Sequence, residues 1–105
     1  MKSRVILRPA RNSVHKFEAI FPDGTRVRFG RKGYSDYTKH KDSDRMQRYL
    51  TRHRRRENWG RSGRHTAGFW SRWILWSEPS LKTAVARTSK VLGQRICLSR
   101  AAAAL

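Results

Sequence analysis

Lys16-Phe17-Glu18-Ala19-Ile20-Phe21-Pro22-Asp23-Gly24-Thr25-Arg26-Val27-Arg28-Phe29 is the stretch that decides the fold. Two runs rich in β-branched and aromatic residues flank Pro22-Asp23-Gly24, which favours chain reversal because proline presets φ and glycine tolerates positive φ. The spacing predicts a hairpin, with strands over 16–21 and 25–29. Side chains alternate along a strand, so Phe17, Ala19 and Phe21 share a face with Val27 and Phe29, while Arg26 and Arg28 point away. One side of this small sheet packs and the other is basic. Upstream, the first fifteen residues are Arg-rich and acid-free, as in an organelle transit peptide, but the apolar triplet Val5-Ile6-Leu7 reads better as a third strand.

Downstream of the hairpin, residues 30–41 hold two glycines and two tyrosines without a sustained period and read as a loop. Asp42 or Ser43 can cap a helix running to about Glu57, with Asp44 in its first turn and Arg52, Arg54, Arg55 and Arg56 at its carboxyl end, the charge order that suits a helix dipole. Met46, Tyr49, Leu50 and His53 follow the i, i+3, i+4, i+7 spacing of a packing stripe, and Arg45, Arg48, Arg52, Arg55 and Arg56 fall largely on the opposite side. After a glycine-containing break over 60–64, Thr66 can cap an aromatic helix from Ala67 to Trp76, ended by Glu78-Pro79. Trp70, Trp73 and Ile74 share one face of that helix and Trp76 departs from it, leaving one indole for a partner. Ser80 caps a third helix, in which Leu81, Ala84, Val85, Thr88 and Leu92 recur at helical spacing and Gly93 supplies the stop. The expected architecture is α+β: a small antiparallel three-stranded sheet or hairpin followed by about three helices. Residues 1–93 form a single basic domain, and the alanine-rich residues 94–105 are a tail, frayed or ordered by a partner.

Charge points to the class of partner. The 105 residues contain 25 Lys and Arg against 7 Asp and Glu, a formal charge of +18. Solubility alone asks for a magnitude of about 2–8 in a small domain, so a polyanion is expected: nucleic acid, an acidic protein or an anionic membrane surface. Cys97 is the single cysteine, which precludes an internal disulfide or a Cys-based zinc knuckle and fits a reducing compartment. The longest apolar run, Phe69 to Trp76, is broken by Ser71 and Arg72 and is far shorter than the roughly 20 residues of a spanning helix.

The basic cluster Lys39, Lys41, Arg45, Arg48, Arg52, Arg54, Arg55, Arg56, Arg61 and Arg64 surrounds Tyr49 and Trp59. Guanidinium forks grip phosphate or carboxylate equally well, and flat rings can stack on bases, so the cluster is the candidate binding site for nucleic acid or an acidic surface. Asp36, His40, Asp42, Asp44 and His53 invite comparison with a metal-dependent nuclease, but Asp42 and Asp44 are explained as helix-start residues, His53 lies on the packing stripe and His40 sits among lysines. No nucleophile, base and orienting group assemble, so neither catalysis nor a metal or other cofactor is expected. Trp59, Phe69, Trp70, Trp73 and Trp76 read as core or partner contact, with core favoured.

Phe29-Gly30, Gly33-Tyr34, Asp36-Tyr37-Thr38-Lys39-His40-Lys41-Asp42, Arg45, Arg48-Tyr49, Arg52-His53, Arg56-Glu57-Asn58-Trp59 and Thr66-Ala67-Gly68-Phe69-Trp70-Ser71-Arg72-Trp73-Ile74-Leu75-Trp76, with Pro79 and Leu81, form a combination with a likeness. It resembles a family of small basic proteins of unassigned function encoded by nucleocytoplasmic large DNA viruses. The resemblance covers roughly residues 17–85, leaving out the amino-terminal strand and the alanine tail. It implies a structural virion protein made in the host cytoplasm, most simply a minor capsid component. Its implied partners are capsid proteins or another acidic protein surface, DNA, or peripherally an anionic membrane, with no small-molecule substrate. The rival expectation is a viral nucleic-acid-binding protein acting in replication, transcription or genome packaging.

Overall fold

The computed structural model describes residues 4–104. Its hairpin turns at Pro22-Asp23-Gly24, where Asp23 Oδ1 accepts the Thr25 amide at 2.9 Å, the Gly24 amide donates to the Phe21 carbonyl, and Gly24 has φ 90°. Glycine is suited to that left-handed backbone because it has no Cβ. The turn joins β2 (His15–Ile20) to β3 (Arg26–Arg31), with Phe17 opposite Phe29 and Ala19 opposite Val27. Strand β1 (Arg4–Pro9) pairs antiparallel with β2, placing Val5 and Leu7 on the same packed face.

The fold is a small α+β structure, but its sheet has four strands in the order β3-β2-β1-β4 and is mixed. Strand β4 (Arg95–Leu98) runs parallel to β1, with Val5 beside Ile96 and Leu7 beside Leu98. This corrects the expectation of a frayed tail over 94–105. Four residues after a glycine stop carry little periodic signal, and their pairing partner lies some ninety positions away in the chain. The short helix α5 (Arg100–Ala103) follows, capped by Ser99, and its Ala102 is wholly buried in the core. Alanine serves there by being small, which lets the helix backbone approach β1 closely.

Helices cover one face of the sheet. The segment expected to be a loop holds one turn of helix, α1 (Tyr37–His40), capped by the Asp36 side chain and ended by Lys41 in the left-handed conformation. Helix α2 (Ser43–His53) stops short of Glu57, because Glu57 is drawn to His53 and to the Trp59 indole and residues 54–56 form a turn. The aromatic segment is likewise not one continuous α-helix. It begins as α3 (Ala67–Trp70), with Thr66 capping, and widens into a π-type turn over Ser71–Leu75 in which the Trp76 amide reaches the Ser71 carbonyl. Helix α4 (Leu81–Leu92) starts at Ser80 and stops at left-handed Gly93, as its sequence predicts.

Trp70 anchors the core. It stacks on Phe29 and meets Phe21 edge-on, both at 5.9 Å, and its indole N–H donates to the Arg64 carbonyl. Phe69, Ile74, Leu75 and Leu92 complete the layer against Val5, Leu7, Ala19 and Val27. Because β4 closes this layer, Ile96→Ala is expected to lower stability by about 2–5 kcal/mol. Urea titration of the wild type and variant checks it, since a residue in a frayed tail would leave the midpoint unmoved.

Candidate polyanion interface

Helix α2 owes its start to Asp42, whose carboxylate accepts the Asp44 and Arg45 amides at 3.0 and 3.3 Å. Those hydrogen bonds, the Arg45 amide first, hold the Asp42 carboxyl below its ordinary range against a smaller opposing effect of burial. The helix joins the body through its apolar stripe. Tyr49 is buried, lies flat on the Trp76 ring at 4.3 Å and 4°, and stacks on its other side with His53 at 4.2 Å. Burial, followed by the nearby Glu57 carboxylate, pushes the Tyr49 hydroxyl far above its usual titration range. His40 packs against the same indole at 5.3 Å. The expectation that Trp76 departs from the face of Trp70 is met, but its ring is taken up within the molecule as the plate on which α2 rests.

With Tyr49 turned inward, Arg45, Arg48 and Arg52 face solvent, and Arg54, Arg55 and Arg56 continue the exposed run into the following turn. Among the described residues, none of these six forms an ion pair. The carboxylates are engaged elsewhere. Asp23 closes the hairpin turn, Asp36 caps α1 and meets Lys16 Nζ at 2.6 Å, Glu57 lies 2.9 Å from His53 Nδ1, and Glu78 pairs with Arg87. Asp36 and Asp42, two of the groups a metal site would require, are therefore occupied as helix caps.

The other cluster members are dispersed. Lys39 and Lys41 line a cleft of about 740 Å³ with Lys16, Lys32, Tyr34 and Phe17. Arg61 lies against Gly93, where a Cβ would stand 2.5 Å from its Nη2, and Arg64 is half-buried beneath Trp70. Trp59 and Trp73 are also partly enclosed: Trp73 Nε1 donates to the Trp59 carbonyl at 2.8 Å, and the Arg72 guanidinium sits 4.3 Å from the Trp73 ring centre and 5.3 Å from that of Trp59. Burial and the neighbouring Arg87 charge both lower the Arg72 pKa. Phe69 and Trp70 are core residues. A double-mutant cycle on Tyr49→Ala and Trp76→Ala is expected to give a coupling of about 0.5–1.5 kcal/mol beyond area burial, read from denaturation midpoints together with far-UV dichroism for α2.

A second basic surface escaped the cluster defined by sequence. The sheet face opposite the core carries Arg4, Arg8, Arg26, Arg28 and Arg95 around Ile6, Ile20 and Cys97, and Ile6 remains 37% exposed. Glu18 stands in its middle with no exposed surface, taking Arg8 Nε at 2.7 Å and Arg28 Nε at 3.1 Å. The signal was strand alternation, which places Glu18 on the side of Arg26 and Arg28, but the pairing of Arg8 required the register between β1 and β2. Burial raises the Glu18 carboxyl, yet the hydrogen bonds from Arg8 and then Arg28 outweigh it and the net displacement is downward. A group depressed on folding contributes stability above its unfolded pKa, about 4.3, which is lost as pH falls through the lower folded value. Stability is thus expected to decline below about pH 4, and Glu18→Gln to flatten that acid limb, leaving the contributions of Asp23 and Asp42. Urea midpoints between neutral and acid pH measure both.

Comparison with known proteins adds one match. A family described as a family of unknown function (DUF5754) matches residues 5–53. The match takes in β1, the hairpin, α1 and α2, and ends before the aromatic segment. No curated protein and no solved structure matches the chain.

Proposed function

We propose that the chain is a non-enzymatic structural protein of a virus particle, a minor capsid component that docks the arginine face of α2 onto an acidic capsid, membrane or genome surface. The carrying observation is the run of exposed arginines at 45, 48, 52, 54, 55 and 56, which has no carboxylate partner among the described residues. Uncompensated guanidinium groups repel one another, and that repulsion is relieved when a polyanion lies against them. The viral setting is supported by the sequence resemblance over residues 17–85. Among the described residues no helix is long and apolar enough to cross a membrane, so any membrane role assigned here is contact at the surface.

The same face supports a second reading, a viral nucleic-acid-binding protein acting in replication, transcription or genome packaging. Arg45, Arg48 and Arg52 recur over two helical turns, about 10 Å of axis, and are exposed in sequence, a spacing along which a phosphate backbone can be followed. Replacing all three with Gln is expected to reduce the slope of log K against log salt for duplex DNA by about one unit per lost phosphate contact, with far-UV dichroism unchanged. An unaltered slope and affinity would remove α2 from the interface. Quantitative mass spectrometry of purified particles separates the two settings: many copies per particle support the capsid role, and absence from the particle defeats it.

A further inference from the structure

We infer that the open face of the sheet is a second anion site, in which Glu18 holds Arg8 and Arg28 side by side so that their terminal Nη groups take the phosphodiester backbone of a nucleic acid. This deepens the proposed reading and rests on it in one respect, that the protein works against a polyanion.

The geometry is that of a positioning device. Glu18 lies on β2 directly between Arg8 on β1 and Arg28 on β3. Each of its oxygens accepts one Nε, Oε2 from Arg8 and Oε1 from Arg28. Nε is the inner nitrogen of the guanidinium, so both contacts leave the outer Nη edge untouched, and among the described residues no protein group accepts from the Nη atoms of either arginine. The carboxylate has no exposed surface, whereas the two arginine side chains retain 24% and 40% exposure. They therefore cover the acid and present their free edges outward. A guanidinium already fixed in orientation loses less freedom when it forms its next pair of hydrogen bonds.

The surroundings favour a backbone ligand. Arg4, Arg26 and Arg95 extend the positive surface across strands spaced about 4.8 Å apart, and Glu18 is the one carboxylate among them. An array of cations without an exposed acid matches an uninterrupted row of anions, which a nucleic acid supplies at one charge per roughly 1.7 Å of duplex axis. Protein surfaces intersperse both signs. The exposed apolar residues of this face are aliphatic, Ile6 and Ile20, so it offers no ring for base stacking and its contact should be independent of sequence.

The test uses the full chain and a labelled random-sequence duplex, with affinity followed by fluorescence anisotropy. Arg8→Lys with Arg28→Lys keeps the charge and removes the forks, and a loss of about tenfold in affinity is expected. Glu18→Gln separates positioning from neutralisation. It adds one unit of positive charge, so a Glu18 that merely neutralises would be replaced with tighter binding, whereas loss of orientation weakens binding despite the added charge. Unchanged affinity in the lysine pair, or tighter binding by Glu18→Gln, overturns the assignment. Should Glu18→Gln fail to fold by thermal melting, the lysine pair decides. Poly-glutamate in place of the duplex tests the carboxylate alternative: equal affinity with an equal loss in the lysine pair assigns the face to an acidic protein and overturns the nucleic-acid site. Repeating the lysine pair in the Arg45→Gln, Arg48→Gln, Arg52→Gln background keeps the two surfaces apart. A persisting loss supports the sheet site even where the α2 reading fails.

Discussion

Seven carboxylates cannot neutralise 25 lysine and arginine side chains, and this imbalance governs how the molecule is arranged. Most of the acids have a local structural task. They cap α1 and α2, close the hairpin, hold His53 and the Trp59 indole, pair with Arg87, or sit beneath two arginines on the sheet. What remains is positive surface segregated onto α2 and the outer face of the sheet. Such segregation costs stability through self-repulsion, and a small domain has little to set against it. The aromatic core offsets part of that cost, because large rings remove more apolar area from water per residue than aliphatic side chains do.

The π-type turn at Ser71–Leu75 links the core to the surface. It follows directly on the helical turn that buries Trp70 against Phe29 and Phe21, and it leaves Trp73 beneath Arg72 and Trp76 beneath Tyr49. Three indoles from one short segment thus serve three neighbours. Trp70 secures the helices to the sheet, Trp73 accepts the positive edge of a guanidinium over its ring, and Trp76 carries α2. The arginine face of α2 is consequently presented by a rigid aromatic contact, which limits how far the helix can turn its charges toward or away from a partner.

Local patterns were sufficient for much of this. Pro22-Asp23-Gly24 and the alternation around it specified the hairpin and its packed face, the stripe of Met46, Tyr49, Leu50 and His53 set which side of α2 turns inward, and Ser80 and Gly93 marked both ends of α4. Each depends on interactions between residues a few positions apart, which a sequence displays directly. The single turn of α1 was not legible because its helix signal is one capping carboxylate amid polar residues. Strand β4 was hidden for a different reason, since its four residues become a strand by lying beside β1.

The amino-acid sequence by itself determined the excess of positive charge, the hairpin, and the separation of arginines from the packing stripe on α2, because these follow from composition and from periodicities of two and 3.6 residues. Only the tertiary structure decided that β1 pairs with β4, that Trp76 receives Tyr49, and that Glu18 stands between Arg8 and Arg28. Those three arrangements join residues from different elements, and their partners are chosen by strand register and by the packing of the whole core rather than by any local preference.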